Sequence, residues 1–383
     1  MAVYLDYYAS TPMHHSVLDV MVDVYKNQYG NAGSRTHDFG ENARQVVEQA
    51  RGQIASLLGI GEEEVFFTSG SSESNNIAIL GLREYAKETG KNHIITTSIE
   101  HKSVLETVKS LTKDGFVVDF IDPASNGRIQ VEQIQKCICE NTLLVSVMHV
   151  NNETGIIQPV GEIGELLADT GILFHVDATQ SCGKLVTQLK NMKYHMLSLS
   201  AHKLYGPQGI GALILRRNKY RLPPVKQIMY GGQQEHGIRP GTNPVALAAG
   251  LGKACEIAAC DYKKNWRNEC QIKAAILDIL EQSGFNYCIN GDLEYCMPNI
   301  INISIAGVES EALMLASKHI CGISNGSACT SMNYDLSYVL SAMGLDEQRI
   351  SEAIRISWGA NVEQQIITSG FSEMLNVAKK FIS

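Results

Sequence analysis

Seven short apolar runs, at 65–68, 94–97, 117–121, 143–149, 172–176, 196–199 and 211–215, are separated by amphipathic helical stretches. Continuously apolar runs read as strands buried on both faces, because a half-exposed strand alternates polar and apolar residues. Strands that alternate with helices pair mostly in parallel. The expected fold class is therefore α/β, with a large domain on a mostly parallel seven-stranded sheet. From 243 to 282 the pattern is helical, and then it changes. Strands at 299–305 and 354–357 and helices at 309–319, 335–343 and 362–381 describe a smaller α+β C-terminal domain. A chain of 383 residues favours two cores over one. The division read from the sequence is an N-terminal arm over 1–15 that packs with the small domain, a large domain over 16–255 and a small domain over 256–383.

Open α/β sheets bind ligands beyond the carboxyl ends of their strands, and polar residues gather there in this sequence. The run 65–68 is followed by Ser69-Gly70-Ser71-Ser72-Glu73-Ser74 and a helix. Small hydroxylated residues with a glycine at a helix start form a phosphate cradle or an ordinary N-cap. Glu100 and His101 follow the second run, Asn152 and Glu153 the fourth, and Asp177 and Gln180 the fifth. Ser200, His202 and Lys203 follow the sixth, inside Ser198-Leu199-Ser200-Ala201-His202-Lys203-Leu204-Tyr205-Gly206-Pro207. A lysine where an apolar strand ends either reaches out to water or is desolvated for covalent chemistry. Five polar strand ends decide for chemistry. A phosphate cradle, an amine and a strand-end carboxylate are the parts of a pyridoxal 5′-phosphate (PLP) pocket. The carboxylate, Asp177, would keep the pyridine nitrogen protonated. His101 could lie on the ring, and Asn152 and Gln180 could hold its phenolic oxygen.

Two features belong to the second domain. Asn325-Gly326-Ser327-Ala328-Cys329-Thr330-Ser331 reads as a polar loop of small residues, a setting that suits a nucleophilic thiol as well as an incidental one. Arg355 stands in an apolar strand, where its planar fork suits a carboxylate. The other nine cysteines read as small core residues in a reducing compartment, since no C-x-x-C pair or secretion signal occurs. No metal site is expected. The net charge of −8 argues against a broad nucleic-acid surface, and no apolar run reaches the length of a membrane span. The expected location is the cytoplasm.

From Leu5-Asp6 through Ser34-Arg35-Thr36-His37, Thr68-Ser69-Gly70, 97–102, 149–155, 176–180, 200–207, 237–242 and 326–331 to Arg355, the chain resembles the NifS/IscS-like (group I) cysteine desulfurases of the class V aminotransferase family. The resemblance implies PLP as cofactor and conversion of L-cysteine to L-alanine, with the sulfur left as a persulfide on Cys329. It implies that Lys203 bonds to the cofactor and moves the substrate Cα proton, that Asp177 pairs with the ring nitrogen and that His101 stacks on the ring. Asn152 and Gln180 would contact the ring oxygen. Ser71, Ser72, Ser200 and His202 would bind the phosphate, with Thr242 arriving from the second subunit of a homodimer. Arg355 and Asn31 would hold the substrate carboxylate. The implied partner is a sulfur-acceptor protein, an iron–sulfur scaffold or a thiolation enzyme. Related PLP enzymes, a selenocysteine lyase or a transaminase, are the alternatives, although a transaminase has no use for Cys329. Tyr8, Ala32-Gly33 and the 332–335 stretch depart from the family pattern, and the chain ends soon after its last helix. The 30–37 stretch looks most like the desulfurases of DNA phosphorothioation.

Overall fold

The computed structural model describes residues 2–326 and 336–382. Its strands, in chain order, are β1 (Val3–Tyr4), β2 (Val65–Thr68), β3 (His93–Thr97), β4 (Val117–Ile121), β5 (Thr142–Met148), β6 (Leu173–Asp177), β7 (Met196–Ser200), β8 (Gly211–Leu215), β9 (Tyr287–Ile289), β10 (Ile300–Ile305), β11 (Cys321–Gly322) and β12 (Ala353–Ser357). β2 to β8 form a seven-stranded sheet in the order β2-β8-β7-β6-β5-β3-β4. β8 runs antiparallel to both its neighbours, and the other pairings are parallel. Every strand of this sheet except β4 is buried along its whole length; β4, at one edge, is partly exposed, whereas β2, at the other edge, is fully buried. Continuous apolar character is the consequence of helices on both faces.

The three-stranded sheet β12-β10-β9 is antiparallel and centres a second core. Leu5, Ile303, Ile356, Trp358, Phe371 and Met374 are buried there. The helix Val245–Gln282 serves both cores: Ala248, Leu251 and Cys255 pack with the large sheet, and Ile272, Ile276 and Leu280 with the small one. The 255/256 boundary read from the sequence falls inside this helix.

The N-terminal arm connects the two sheets. β1 pairs in parallel with β11, Ser357 N–H donates to the Leu5 carbonyl, and Thr11 N–H donates to the His202 carbonyl. The arm thus runs from the small sheet to the loop that carries Lys203.

The expectation that nine cysteines fill cores needs correction. Cys182, Cys255 and Cys321 are buried, but Cys139, Cys260, Cys270 and Cys288 are exposed. Cys260 and Cys270 lie on the outer side of the long helix, Cys288 on the short strand β9, and Cys139 in the turn before β5. Local sequence does not distinguish those faces.

Candidate active site

The carboxyl ends of the parallel strands open into a cavity of about 300 Å³ lined by Ser71, Ser72, His101, Asn152, Asp177, Gln180, His202, Lys203 and Arg355, among others. A second cavity of about 380 Å³ includes Ser200 and shares Ala9, Ser71, Ser72 and His202 with the first. The two adjoin at the start of the helix Ser71–Leu80, where free backbone N–H groups favour an anion. Gly70 precedes this helix at φ 152°, and a Cβ on its neighbour Gly211 would come within 2.7 Å of the Gly70 Cα. That close approach keeps the loop tight against β8.

Lys203 follows β7, and its Nζ donates to the backbone carbonyls of Tyr8 (2.5 Å) and Ala9 (2.8 Å). Gln180 Nε2 donates to the same Tyr8 carbonyl at 3.0 Å. The arm therefore forms one wall of the site.

Asp177 ends β6 and is buried. Its Oδ1 accepts from the N–H and hydroxyl of Thr179, and its Oδ2 accepts from Asn75 Nδ2 at 2.8 Å. Asn75 also donates to Ser103 Oγ, which lies 2.8 Å from His101 Nδ1. His101 Nδ1 accepts from the Ser103 N–H, which puts the proton of a neutral ring on Nε2. Burial pushes the His101 pKa below its ordinary value despite the opposing pull of Asp177. Burial, assisted by Lys203, pushes His202 down to about 4. Both imidazoles are neutral at pH 7.

Arg355 lies in β12, 4 % exposed; its guanidinium donates to Asp6 Oδ1 at 2.6 Å and to the Asn152 carbonyl at 2.9 Å. Arg355 Nε, Asn152 Oδ1 and Gln180 Oε1 are buried without a partner among the described residues. Unpartnered polar atoms on one cavity wall are costly unless a bound polar group meets them. A phosphorylated pyridine carrying a substrate carboxylate meets that need, so the residues present fit PLP. Gly326 and Leu336, on either side of the 327–335 stretch, also line the cavity. Cys329 lies within that stretch and outside the described residues.

The model of the aminotransferase class-V family matches residues 3–368. The chain belongs to that family. Enzymes of this family depend on PLP. Over 382 residues the chain is 41% identical to the cysteine desulfurase IscS of Vibrio vulnificus, covering 99% of this chain and 93% of the relative. Among solved structures, a NifS-like protein superposes with a TM-score of 0.91 at 33% identity, covering 99% of this chain and all of the other. DndA from Streptomyces lividans superposes with a TM-score of 0.80 at 40% identity, covering 93% and 99%.

In this class-V chain, two residues singled out from the sequence stay away from the cavity. Asn31 is exposed and caps the Gly33 N–H at 2.8 Å, and Thr242 is exposed beyond the loop at 234–241. Neither lines either cavity of its own chain.

One contributor, Asn75, is not singled out by the sequence, and two others, Glu153 and Glu100, are read there only as polar strand-end residues without a role. Asn75, fully buried, orients Asp177; its signal is the i, i+4 spacing from Ser71, which puts it on the cradle's side of the helix. Glu153 accepts from Ser337 Oγ, and its Oε2 lies 2.8 Å from where a Cβ on Gly326 would sit. It thus touches both flanks of the Cys329 stretch. Glu100 accepts from Thr97 Oγ1 and the Met148 N–H, and burial pushes its pKa up to about 8.

Proposed function

We propose that this protein is a PLP-dependent cysteine desulfurase, a sulfurtransferase that converts L-cysteine to L-alanine and leaves the sulfur on Cys329. The observation that carries this reading is the convergence of Lys203, Asp177 and Arg355 on one cavity that Gly326 and Leu336 border. The curated relative named as a cysteine desulfurase supports the same reading along almost the whole chain.

Bound PLP supplies an electron sink for the substrate carbons. Asp177, fixed by Asn75 and Thr179, would hold the ring nitrogen protonated, and Ser71, Ser72, Ser200 and His202 would hold the phosphate. His101 would lie against the ring, and Asn152 and Gln180 would meet its oxygen. Lys203 Nζ, already held over the cavity by the Tyr8 and Ala9 carbonyls, would anchor the cofactor and carry the Cα proton. Arg355 turns its unpartnered Nε edge to the substrate carboxylate. The Cys329 sulfur attacks the substrate sulfur, the C–S bond breaks, and carbon takes up a proton. L-cysteine and a thiol become L-alanine and a persulfide, with atoms in balance. The persulfide is then offered to an acceptor protein of iron–sulfur assembly, tRNA thiolation or DNA phosphorothioation.

Thr242 takes its place in a homodimer, where that of one subunit completes the other's phosphate site. The helix His15–Asn27 exposes Leu18, Val22 and Tyr25 at i, i+4, i+7 spacing, and Tyr29 stacks on Phe39 beside it. This apolar surface suits a second copy.

The deciding experiment records the absorbance of the purified protein with PLP before and after L-cysteine, with alanine and persulfide assayed in parallel. A visible band that shifts on cysteine, with alanine formed and a persulfide on Cys329, is the expected result. Cys329→Ala should retain the band and lose sulfur release. A protein that never takes up PLP, or a Cys329→Ala variant with undiminished sulfur release, refutes the reading.

A further inference from the structure

At the amino ends of the same strands, on the edge of the sheet opposite the cavity, four side chains with acid–base or thiol chemistry meet. His93 opens β3, Asp119 lies on edge strand β4, and Cys137 and Cys139 end the helix Val131–Cys137 and its following turn. His93 pairs with Thr142 across β5 and with Val117 across β4, which places its ring between the turn and the edge strand.

The Cys139 sulfur lies 3.4 Å from His93 Nδ1, and His93 Nε2 lies 3.2 Å from Asp119 Oδ2. Thr142 Oγ1 completes the arrangement: it accepts the Cys139 N–H at 2.9 Å and stands 2.9 Å from His93 Nδ1 and 3.5 Å from the sulfur. The backbone locks the turn, with Thr142 N–H donating to the Cys139 carbonyl and His93 N–H to the Asn141 carbonyl. His93 is buried while Cys139 is an exposed residue, so the base is held still beside a thiol at the surface. Nucleophile, base and orienting carboxylate at hydrogen-bond reach are the arrangement that activates a thiol. The neighbouring Cys137 is a different case. Burial and the Asp119 carboxylate push its thiol pKa up, away from the thiolate.

We infer that Cys139, with His93 as base and Asp119 as its positioning residue, is a second reactive thiol, distinct from Cys329, that exchanges with low-molecular-weight disulfides. His93 Nδ1 accepts the thiol proton as Cys139 Sγ bonds to one sulfur of the disulfide. The disulfide's S–S bond breaks, and the departing sulfur leaves with the electron pair and takes the proton from the imidazole. One thiol and one disulfide become one mixed disulfide and one thiol, with no net oxidation. The site lies away from the PLP cavity and does not depend on the activity proposed for it.

The test is the reaction of the full-length, PLP-loaded protein with oxidised glutathione, quenched by alkylation and read peptide by peptide by mass spectrometry. Cys260, Cys270 and Cys288, exposed on other surfaces, are internal references. At pH 7 Cys139 should form the mixed disulfide about tenfold faster than the references, because a base at hydrogen-bond reach takes its proton during attack. Its pH–rate profile should differ in shape from theirs. Asp119→Asn, a change on a part-exposed edge strand, should return both rate and profile to the reference pattern. His93→Gln should do the same wherever it folds. A Cys139 rate within the reference range, or an accelerated rate and profile unchanged in Asp119→Asn, overturns the assignment.

Discussion

Glu100 is fully buried beside the cavity, with one oxygen satisfied by Thr97 and Met148 and the other without a partner. Burial raises its pKa from 4.5 to about 8, with the Asp177 charge adding to the rise, so the folded protein holds a proton there that the unfolded chain releases. The sign follows from linkage. A carboxyl whose folded pKa is raised contributes stability that is complete below about 4.5 and is lost as pH climbs through about 8. Glutamine copies the protonated acid in shape and lacks the titration. We therefore expect the urea midpoint of the native protein to fall between pH 6 and pH 9 more steeply than that of Glu100→Gln. Parallel slopes would show that Glu100 releases its proton on folding as readily as in water.

At the scale of elements, the loop that precedes Thr242 is tied to the large sheet by one buried ion pair. Arg51, on the helix Asp38–Leu58, forks onto Glu235 at 3.0 and 3.1 Å and also reaches the Val65 carbonyl. Glu235 additionally accepts from the Phe67 N–H at 2.9 Å and Asn243 Nδ2 at 2.7 Å. Glu235 and His236 adopt left-handed backbone at φ 47° and 54°, a conformation non-glycine residues hold only where contacts enforce it. Removing one partner of such a pair leaves a buried charge unmatched. Glu235→Ala should cost about 3–5 kcal/mol in denaturant unfolding, and Arg51→Met in the same chain should recover part of the loss.

The same scale shows what could be read from the sequence. The runs at 65–68 and 211–215 are strands with those limits, because uninterrupted burial leaves an uninterrupted apolar run, and 117–121 keeps its limits although β4 is partly exposed and carries Asp119. The direction of β8 was not legible, since an apolar run looks alike whichever way it points. β9, three residues of partial burial at a sheet edge, leaves no period to detect. The cavity residues Lys203, Asp177, His101 and Arg355 were legible because each is polar where its strand pattern asks for an apolar residue or a turn. Asn75 was not: a buried asparagine within a helix has the local signature of an exposed one. The Cys139 cluster was hidden for another reason. Its members come from three separate segments that only the parallel register brings together.

For the whole molecule, the prediction concerns stoichiometry. If Thr242 acts in a neighbour's site, sedimentation should give a dimer, and the exposed stripe of Leu18, Val22 and Tyr25 should lie within its interface. A charged residue at Val22 should shift the population toward monomer and weaken PLP retention together, because the phosphate site would lose Thr242. A monomer that retains PLP fully would show that each chain completes its own phosphate site. The helix Val245–Gln282 has a further consequence. At about 1.5 Å per residue it is a rod of roughly 57 Å, seated in one core at its start and in the other at its end. Neither core can melt without fraying an element the other relies on. Scanning calorimetry should therefore give a single heat-absorption peak, where two cores joined by a slack tether would give two.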